Sequence, residues 1–383
     1  DISSKKEVAI MHLKIMHTGD VHIGMKFNNY PDYLQDKLIE ARYEVLNNIV
    51  NIGNDKNSNL LVISGDLFDK QNIKESNIIK VINILEGFSG DAILLLPGNH
   101  DFDNGGVELW QKFKNNMSGK MVLLNELKSY NLNKFDIDLI VYAAPCDSKH
   151  SNTNNLKWIK NQSKSEGEEE NKYKIGVAHG ALSGISPDMT DNYFQMSREE
   201  LKELNMDLWL LGHTHLPYPE QKSVVNREIY NCGTPEADGL DCSHPGNTWF
   251  IEIDDKKSIK AEQIKTGNYR FYDLEYIINS KKDFEKMKSE LLDFNPETKI
   301  VRIKLSGRVE EDLYNNKEEY YREMRNELAY LKANDNELKI KITDDIIDSE
   351  FSKNSFPHKL LSELKDDEKA LQLAYEFIRE VRG

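Results

Sequence analysis

Five of the ten histidines, together with Asp and Asn, are concentrated in short blocks: Asp20-Val-His22, Gly65-Asp66-Leu-Phe-Asp69, Gly98-Asn99-His100-Asp101, His179-Gly180 and Gly212-His213-Thr-His215. No other part of the chain gathers hard and borderline metal ligands in this way. Two divalent ions about 3.5–4 Å apart can clamp both the attacking and the leaving oxygen of an in-line phosphoryl displacement. Such a pair needs one carboxylate that reaches both ions, plus neutral imidazoles and amides that avoid excess charge. The blocks supply this set, and the chemistry they predict is metal-assisted hydrolysis of a phosphate ester.

Asp66 is the natural bridge, because the glycine before it allows a close approach of backbone and metal. Asp20 and His22, two residues apart, can turn toward one ion, and His213 and His215 can split between the two. Asn99 and His179 complete the ligand set. Ligation by imidazole and carboxylate without thiolate fits Mn²⁺, Fe²⁺, Co²⁺ or Zn²⁺, and fits Mg²⁺ or Ca²⁺ poorly. His100 adjoins a ligand, so its ring is expected to turn toward substrate and protonate a leaving alkoxide. Asp69 is expected to hold that imidazole in its productive tautomer. Taken singly, Asp-X-His occurs by chance and Gly-Asn-His-Asp is an ordinary turn; it is the ordered set that points to metal. His17 reads as a packed strand-end residue, His12, His150 and His358 as surface residues, and His244 as a rim residue.

Each block must be presented by an element. Apolar runs at Leu13–His17, Leu60–Ile63 and Ala92–Leu96 predict buried strands, and each delivers a block at its carboxyl end. Between them, Tyr33–Ile52 and Glu75–Phe88 carry apolar residues at helical spacing. This alternation predicts an α/β layered core with parallel strands, in which ligands gather beyond the carboxyl ends. Leu139–Ala144, Tyr173–Ala178 and Leu208–Leu211 continue it. Arg227–Gly233 and Thr248–Asp254 are expected to close the layer as antiparallel strands. The polar stretch Asp147–Asn171 reads as a surface excursion, a mobile loop or lid edge.

After Asn268 the pattern changes. Tyr269–Ile278, Lys299–Val309 and Leu338–Ile346 read as strands, with Lys281–Phe294 and Tyr314–Ala333 as helices. Phe356–Val381 predicts one or two amphipathic helices, which either cap this unit or dock another subunit. The expected divisions are 11–268 for the catalytic core, 269–350 for a small α+β capping domain and 351–383 for a helical tail. Asp1–Ile10 reads as a cloning remnant or processed extension, with Met11 or Met16 as plausible starts.

At 383 residues the chain can hold a large core and a smaller one. No apolar run is long enough to cross a bilayer and no signal-peptide pattern is visible. Cys146, Cys232 and Cys242 are too few for a disulfide framework, so reduced thiols and a cytoplasmic location are expected. A net charge of −15 argues against a continuous basic face that wraps nucleic acid, although bound cations and a partner could offset it.

The ordered blocks resemble the calcineurin-like metallophosphoesterases, with a layered β-sandwich core flanked by helices. Within them the chain is similar to the DNA-repair exonuclease branch: the bacterial SbcD subunit, the YhaO-type exonucleases and the meiotic-recombination nuclease. The motifs that carry this are His17-Thr-Gly-Asp20-Val-His22-Ile-Gly24, Ser64-Gly-Asp66-Leu-Phe-Asp69, Pro97-Gly-Asn99-His100-Asp101 and Asn231-Cys-Gly233-Thr-Pro235. The resemblance implies two Mn²⁺ ions, one held by Asp20, His22, Asp66 and His215, the other by Asp66, Asn99, His179 and His213. It further implies attack on a DNA phosphodiester by a hydroxide bridging the ions, and 3′-to-5′ exonuclease action. Endonuclease action with an SbcC-type coiled-coil ATPase bound to the tail is implied as well, as is a homodimer. Some members carry histidine where Asp69 stands here. Alternatives on the same scaffold are a phosphoprotein phosphatase, a small-molecule or cyclic-nucleotide phosphodiesterase, and a scaffold subunit that recruits an ATPase. The first is disfavoured because Lys70-Gln71 stands where that class has arginine.

Overall fold

The computed structural model describes residues 12–162, 173–185 and 192–382. The expected extension at 1–10, and the part of the polar excursion from 163 to 171, lie outside these residues. Contacts divide the chain into two compact units, one ending at Phe271 and the other beginning at Tyr272.

The first unit runs β1 (Leu13–Thr18), α1 (Asp32–Asp55), β2 (Leu60–Ser64), α2 (Glu75–Glu86), β3 (Ala92–Leu96), α3 (Glu108–Asn116), β4 (Met121–Leu123) and β5 (Ser129–Asn131). It continues through β6 (Leu139–Ala144), α4 (Lys157–Gln162), β7 (Tyr173–His179), α5 (Arg198–Glu203), β8 (Leu208–Gly212), β9 (Ser223–Val225), β10 (Ile229–Asn231), β11 (Asn247–Ile253) and β12 (Ile259–Lys265). The strands form a seven-stranded sheet, ordered β4-β3-β2-β1-β11-β12-β9, and a five-stranded sheet, ordered β10-β8-β7-β6-β5.

Why these strands are apolar throughout follows from where each side chain goes. Side chains alternate across a strand, and here both faces are covered. Ile15, Leu60, Val62 and Leu94 point inward against Val141, Ile175, Val177, Leu208 and Leu210 of the other sheet. Their neighbours Met16, Leu61, Ile63, Ile93 and Leu95 face outward beneath α1, α2 and α3. On the far side, Trp209 and Leu211 pack against residues of α4 and α5. The result is the expected layered α/β sandwich, with helices outside both sheets.

Several local expectations are corrected. Ile229–Asn231 does not run antiparallel; it pairs parallel to β8, because the chain first crosses to the other sheet as β9 and returns in the same direction. The 147–162 segment is not a free loop: Leu156 and Ile159 are buried, and α4 anchors it. Helix α3 and strands β4, β5, β9 and β12 were not anticipated.

β13 (Arg270–Ile277) begins two residues before the division, and the second unit continues with α6 (Lys281–Leu291), β14 (Lys299–Val309), α7 (Glu311–Asn315), α8 (Lys317–Glu327), β15 (Tyr330–Ile340), α9 (Asp344–Glu350), α10 (Phe356–Glu363) and α11 (Glu368–Arg382). Its sheet is ordered β13-β14-β15. The helix expected to reach Ala333 ends at Glu327. From Tyr330 the backbone pairs parallel with β14, and that ladder takes the alternating residues away from the helix. Ile342, Ile347, Phe351, Leu361, Leu371 and Tyr375 form a small core that joins α9, α10 and α11. Among the described residues no helix is long and apolar enough to cross a membrane.

One side chain ties the two sheets of the first unit together. Trp249 on β11 is fully buried, donates from Nε1 to the Asn231 carbonyl on β10 at 2.9 Å, and meets the Tyr230 ring edge-on at 5.1 Å. Trp249→Ala is therefore expected to cost about 3–5 kcal/mol, read as a lower urea midpoint at unchanged slope.

Candidate metal centre

Asp20, Asp66 and Asn99 follow β1, β2 and β3 of one sheet, while His179 ends β7 and His213 follows β8 of the other. The centre thus sits where the carboxyl ends of both sheets meet. Its loops are strained. Asp20, His22, Asp66 and His213 all take positive φ, at 51°, 52°, 50° and 95°. Non-glycine residues adopt that region rarely, and a cluster of them is held only by surrounding structure. Here the first two loops brace each other: the Asp20, His22 and Ile23 amides donate to the carbonyls of Gly65, Asp66 and Leu67 at 3.0, 3.0 and 2.9 Å.

Close approach then depends on two glycines. A Cβ on Gly65 would lie 2.0 Å from Nδ1 of His179, and one on Gly98 would lie 2.2 Å from Asp66 Oδ1. The glycine before Asp66 makes room for an imidazole as well as for the backbone.

All seven residues expected as ligands come together. His22 Nε2 lies 3.2 Å from His215 Nε2 and 3.9 Å from Asp66 Oδ2, and His215 Nε2 is 3.9 Å from Asp20 Oδ1. On the other side of Asp66, His179 Nε2 is 3.3 Å from Asp66 Oδ2 and 3.0 Å from Asn99 Oδ1. His213 Nδ1 is also 3.0 Å from Asn99 Oδ1. Asp66 therefore stands between two donor groups. Asp20, His22 and His215 offer atoms within 4.8 Å of one another, as do Asp20, Asp66 and His179.

Second contacts fix the rings. Nδ1 of His179 donates to the Ser64 carbonyl at 2.8 Å, which leaves Nε2 as the free ligand atom. Nδ1 of His215 pairs with Asp238 at 2.7 Å and does the same for its Nε2. The Asn99 amide donates to the Lys149 carbonyl at 3.4 Å, so its oxygen faces the imidazoles. The Asp20 carboxylate accepts from the His213 amide at 3.0 Å, and that of Asp66 from the His100 amide at 2.8 Å.

The charge balance suits cations. Asp20 and Asp66 are 0% and 1% exposed, and burying an ionised carboxylate is costly unless positive charge compensates. Burial pushes the Asp20 carboxyl upward, while His179 outweighs burial and holds Asp66 low. Burial works against charge on His179 and His215, yet Asp66 lifts the first and Asp238 the second, each to about 9. Two buried carboxylates, four imidazoles and an amide oxygen, with facing ring nitrogens 3.2 Å apart, fit a pair of divalent ions.

Asp69 is placed differently from expectation. Its backbone carbonyl, not its carboxylate, accepts from His100 Nδ1 at 3.0 Å. The carboxylate instead lies 3.7 Å from Nδ1 of His22, because the His22 and Asp69 loops are paired, Asp69 donating its amide to Ile23 at 3.0 Å. A carbonyl only accepts, so the tautomer of His100 is still fixed with Nε2 free. The ring stands edge-on to His22 at 4.9 Å.

Three contributors have no role assigned by the sequence pattern. Asp238 lies in a Gly-containing stretch with no motif character; its only signal was an acidic residue shortly after Asn231-Cys-Gly-Thr-Pro235. Asp101 ties the loops, accepting from the amides of Gly98 and Phe68 at 2.7 and 3.0 Å. Tyr193 stacks on His213 at 5.1 Å and meets His150 edge-on, so His150, although exposed, belongs to this rim. His244 supports the site from the rim through the His215 carbonyl. The three cysteines are unpaired and buried.

The sequence pattern of the family described as calcineurin-like phosphoesterase matches residues 13–217. Among curated proteins, the chain is similar to YhaO of Bacillus subtilis (strain 168), described as an uncharacterized metallophosphoesterase, at 22% identity over 278 residues. The match covers 71% of this chain, which spans only 59% of that relative's length. Among solved structures, a dimetal phosphatase from Danio rerio is 12% identical, with a TM-score of 0.38 over 66% of this chain and 99% of that one. A purple acid phosphatase from yellow lupin (Lupinus luteus) seeds is 15% identical, with a TM-score of 0.45 over 67% and 52%.

The floor of the centre sets a pH dependence. His17 is fully buried with Nε2 2.9 Å from Ser64 Oγ, and burial pushes its pKa from 6.5 down to about 3. Below pH 6.5 the unfolded chain takes a proton that the folded one refuses, so stability falls as pH falls toward 3. The slope from this residue is about 1.4 kcal/mol per pH unit. His17→Asn is expected to flatten the urea-measured stability profile between pH 6.5 and 5 by that amount, in EDTA.

Proposed function

The chain belongs to the calcineurin-like phosphoesterase family, and on that premise we propose that it is a metal-dependent phosphodiesterase acting on DNA. The observation that carries the reading is the placement of Asp66 between the donor groups His22–His215 and Asn99–His179–His213, with His100 beside them. Asp20, His22, Asp66 and His215 would hold one divalent cation, and Asp66, Asn99, His179 and His213 the other. Bound there, the cations would supply an activated water and neutralise charge on the phosphate.

The chain's own residues do the rest. His100 keeps its Nδ1 proton on the Asp69 carbonyl, so Nε2 is the atom that can carry a proton to the departing sugar oxygen. Tyr193 and His150 form an aromatic wall beside His213, suited to a ring on the substrate. A diester is favoured over a monoester because no arginine follows Asp69 to grip a dianionic phosphate. DNA as the diester, Mn²⁺ as the metal, and 3′-to-5′ polarity rest on the resemblance to the repair exonucleases. The acidic balance of −15 favours, as second reading, a small-molecule phosphodiesterase.

We also propose that α10 and α11 dock a coiled-coil ATPase. Phe356, Leu373, Phe377 and Val381 are 65–76% exposed along one apolar groove, and surfaces of that kind mark interaction sites.

Two measurements test these readings. With Mn²⁺, linear double-stranded DNA and bis-p-nitrophenyl phosphate should be hydrolysed, p-nitrophenyl phosphate poorly, and EDTA should stop both reactions. His100→Ala should slow DNA hydrolysis by about 10²–10⁴-fold and spare the p-nitrophenyl diester, whose leaving group needs no proton. Monoester cleavage without DNA degradation would sink the DNA reading. For the tail, Leu373→Asp with Phe377→Asp should abolish co-elution with a co-expressed ATPase of that class and leave p-nitrophenyl diester hydrolysis unchanged.

A further inference from the structure

Arg42 lies in the middle of α1 and is 1% exposed. A buried guanidinium is unfavourable unless it is hydrogen-bonded, and a hydrocarbon would fill this helix position at lower cost. Its partners show what a hydrocarbon could not do. Nη1 donates to the Glu236 carbonyl at 2.9 Å and Nη2 to that of Ala237 at 3.3 Å, while the Val21 carbonyl lies 3.5 Å from Nη1. Val21 stands between Asp20 and His22, both in left-handed conformations. Ala237 precedes Asp238, the carboxylate that orients His215. A second link joins the same segments: Thr234 Oγ1 lies 2.7 Å from the Glu236 carbonyl and 3.0 Å from that of Asp20. Two chain segments, far apart in sequence, are thus fastened to one side chain.

We propose that Arg42 is a positioning residue for one half of the metal centre, the half formed by Asp20, His22 and His215, acting through the Val21 backbone and through Asp238. The inference rests on the two-cation reading above. The other half shares Asp66 and the bond from the His213 amide to Asp20, but its remaining supports are the carbonyls of Ser64 and Lys149, which Arg42 does not touch. Its effect is therefore selective: one cation loses its pre-formed cradle and the other keeps it.

The test is Mn²⁺ binding, counted by electron paramagnetic resonance and titrated by calorimetry, on the wild-type chain and on Arg42→Gln, Arg42→Lys, Asp238→Asn and the Arg42→Gln/Asp238→Asn double variant. Circular dichroism and metal-free thermal unfolding accompany each. Wild type should bind two ions. Arg42→Gln and Asp238→Asn should each leave one ion at wild-type affinity and weaken the other about 10–100-fold. Arg42→Lys, which keeps the charge but not the two-pronged fork, should fall between. The double variant should be little weaker than either single one, because both act through one path. Equal weakening of both ions, or a lower melting temperature with both affinities intact, makes Arg42 merely structural and overturns the proposal. Should Arg42→Gln not fold, Arg42→Lys and Asp238→Asn decide: unchanged affinities in these two overturn it equally. Fewer than two ions on the wild type overturns the two-cation reading itself, and this is seen before any variant is compared.

Discussion

Two carboxylates buried a few ångströms from a shared set of imidazoles repel one another and have lost their water. Asp20 and Asp66 can stay ionised only if positive charge is brought to them, and the site is arranged to bring it. His179 and His215 are each made basic by a carboxylate, Asp66 in one case and Asp238 in the other. The backbone amides of His100 and His213 donate to the carboxylates of Asp66 and Asp20. A centre of this kind would pull apart or fill with water on a flexible frame, so the rest of the first unit can be understood as the means of keeping these groups close.

The sandwich provides that frame by burying both faces of its strands. Each strand of the central layers is fixed in register by apolar contacts on two sides, so its carboxyl end has little freedom. The strained loops beyond those ends are then held by ladder-like bonds between the first two of them, by the Asp101 carboxylate across the third, and by Trp249 binding sheet to sheet further down. Strain in four residues persists because the neighbours that would have to move are already packed.

Residue type and spacing made much of this readable in advance. The buried strands were visible as short apolar runs, α1 and α2 as helical periods, and the seven residues that converge at the candidate centre as blocks at strand ends. What stayed hidden depended on contacts between distant segments. Asp238 has no local signature, since its role exists only once β10 and β11 bring its loop beneath His215. Asp69 was expected to hold His100 with its carboxylate; pairing with the loop of His22 turns that group away and leaves the carbonyl to do it. The helix assumed to run on to Ala333 stops because a parallel ladder with β14 outweighs the helical propensity of a charged segment. The direction of β10 depended on a crossover through the other sheet, which no local pattern reveals.

The ladder between the loops of Asp20 and Asp66 also bears on how this protein can change over generations. Asp20, His22 and Ile23 are each bonded to the facing loop, so a single inserted or deleted codon there would shift Asp20, His22 and Asp66 out of register. Among the described residues, Ser151 is joined to 192–194 by one bridge and two main-chain bonds, and the Ala181 amide adds a third bond to the Tyr193 carbonyl. Length variation is far better tolerated at such a rim. The rim can therefore be remodelled over generations while the floor of the candidate centre is inherited almost unaltered.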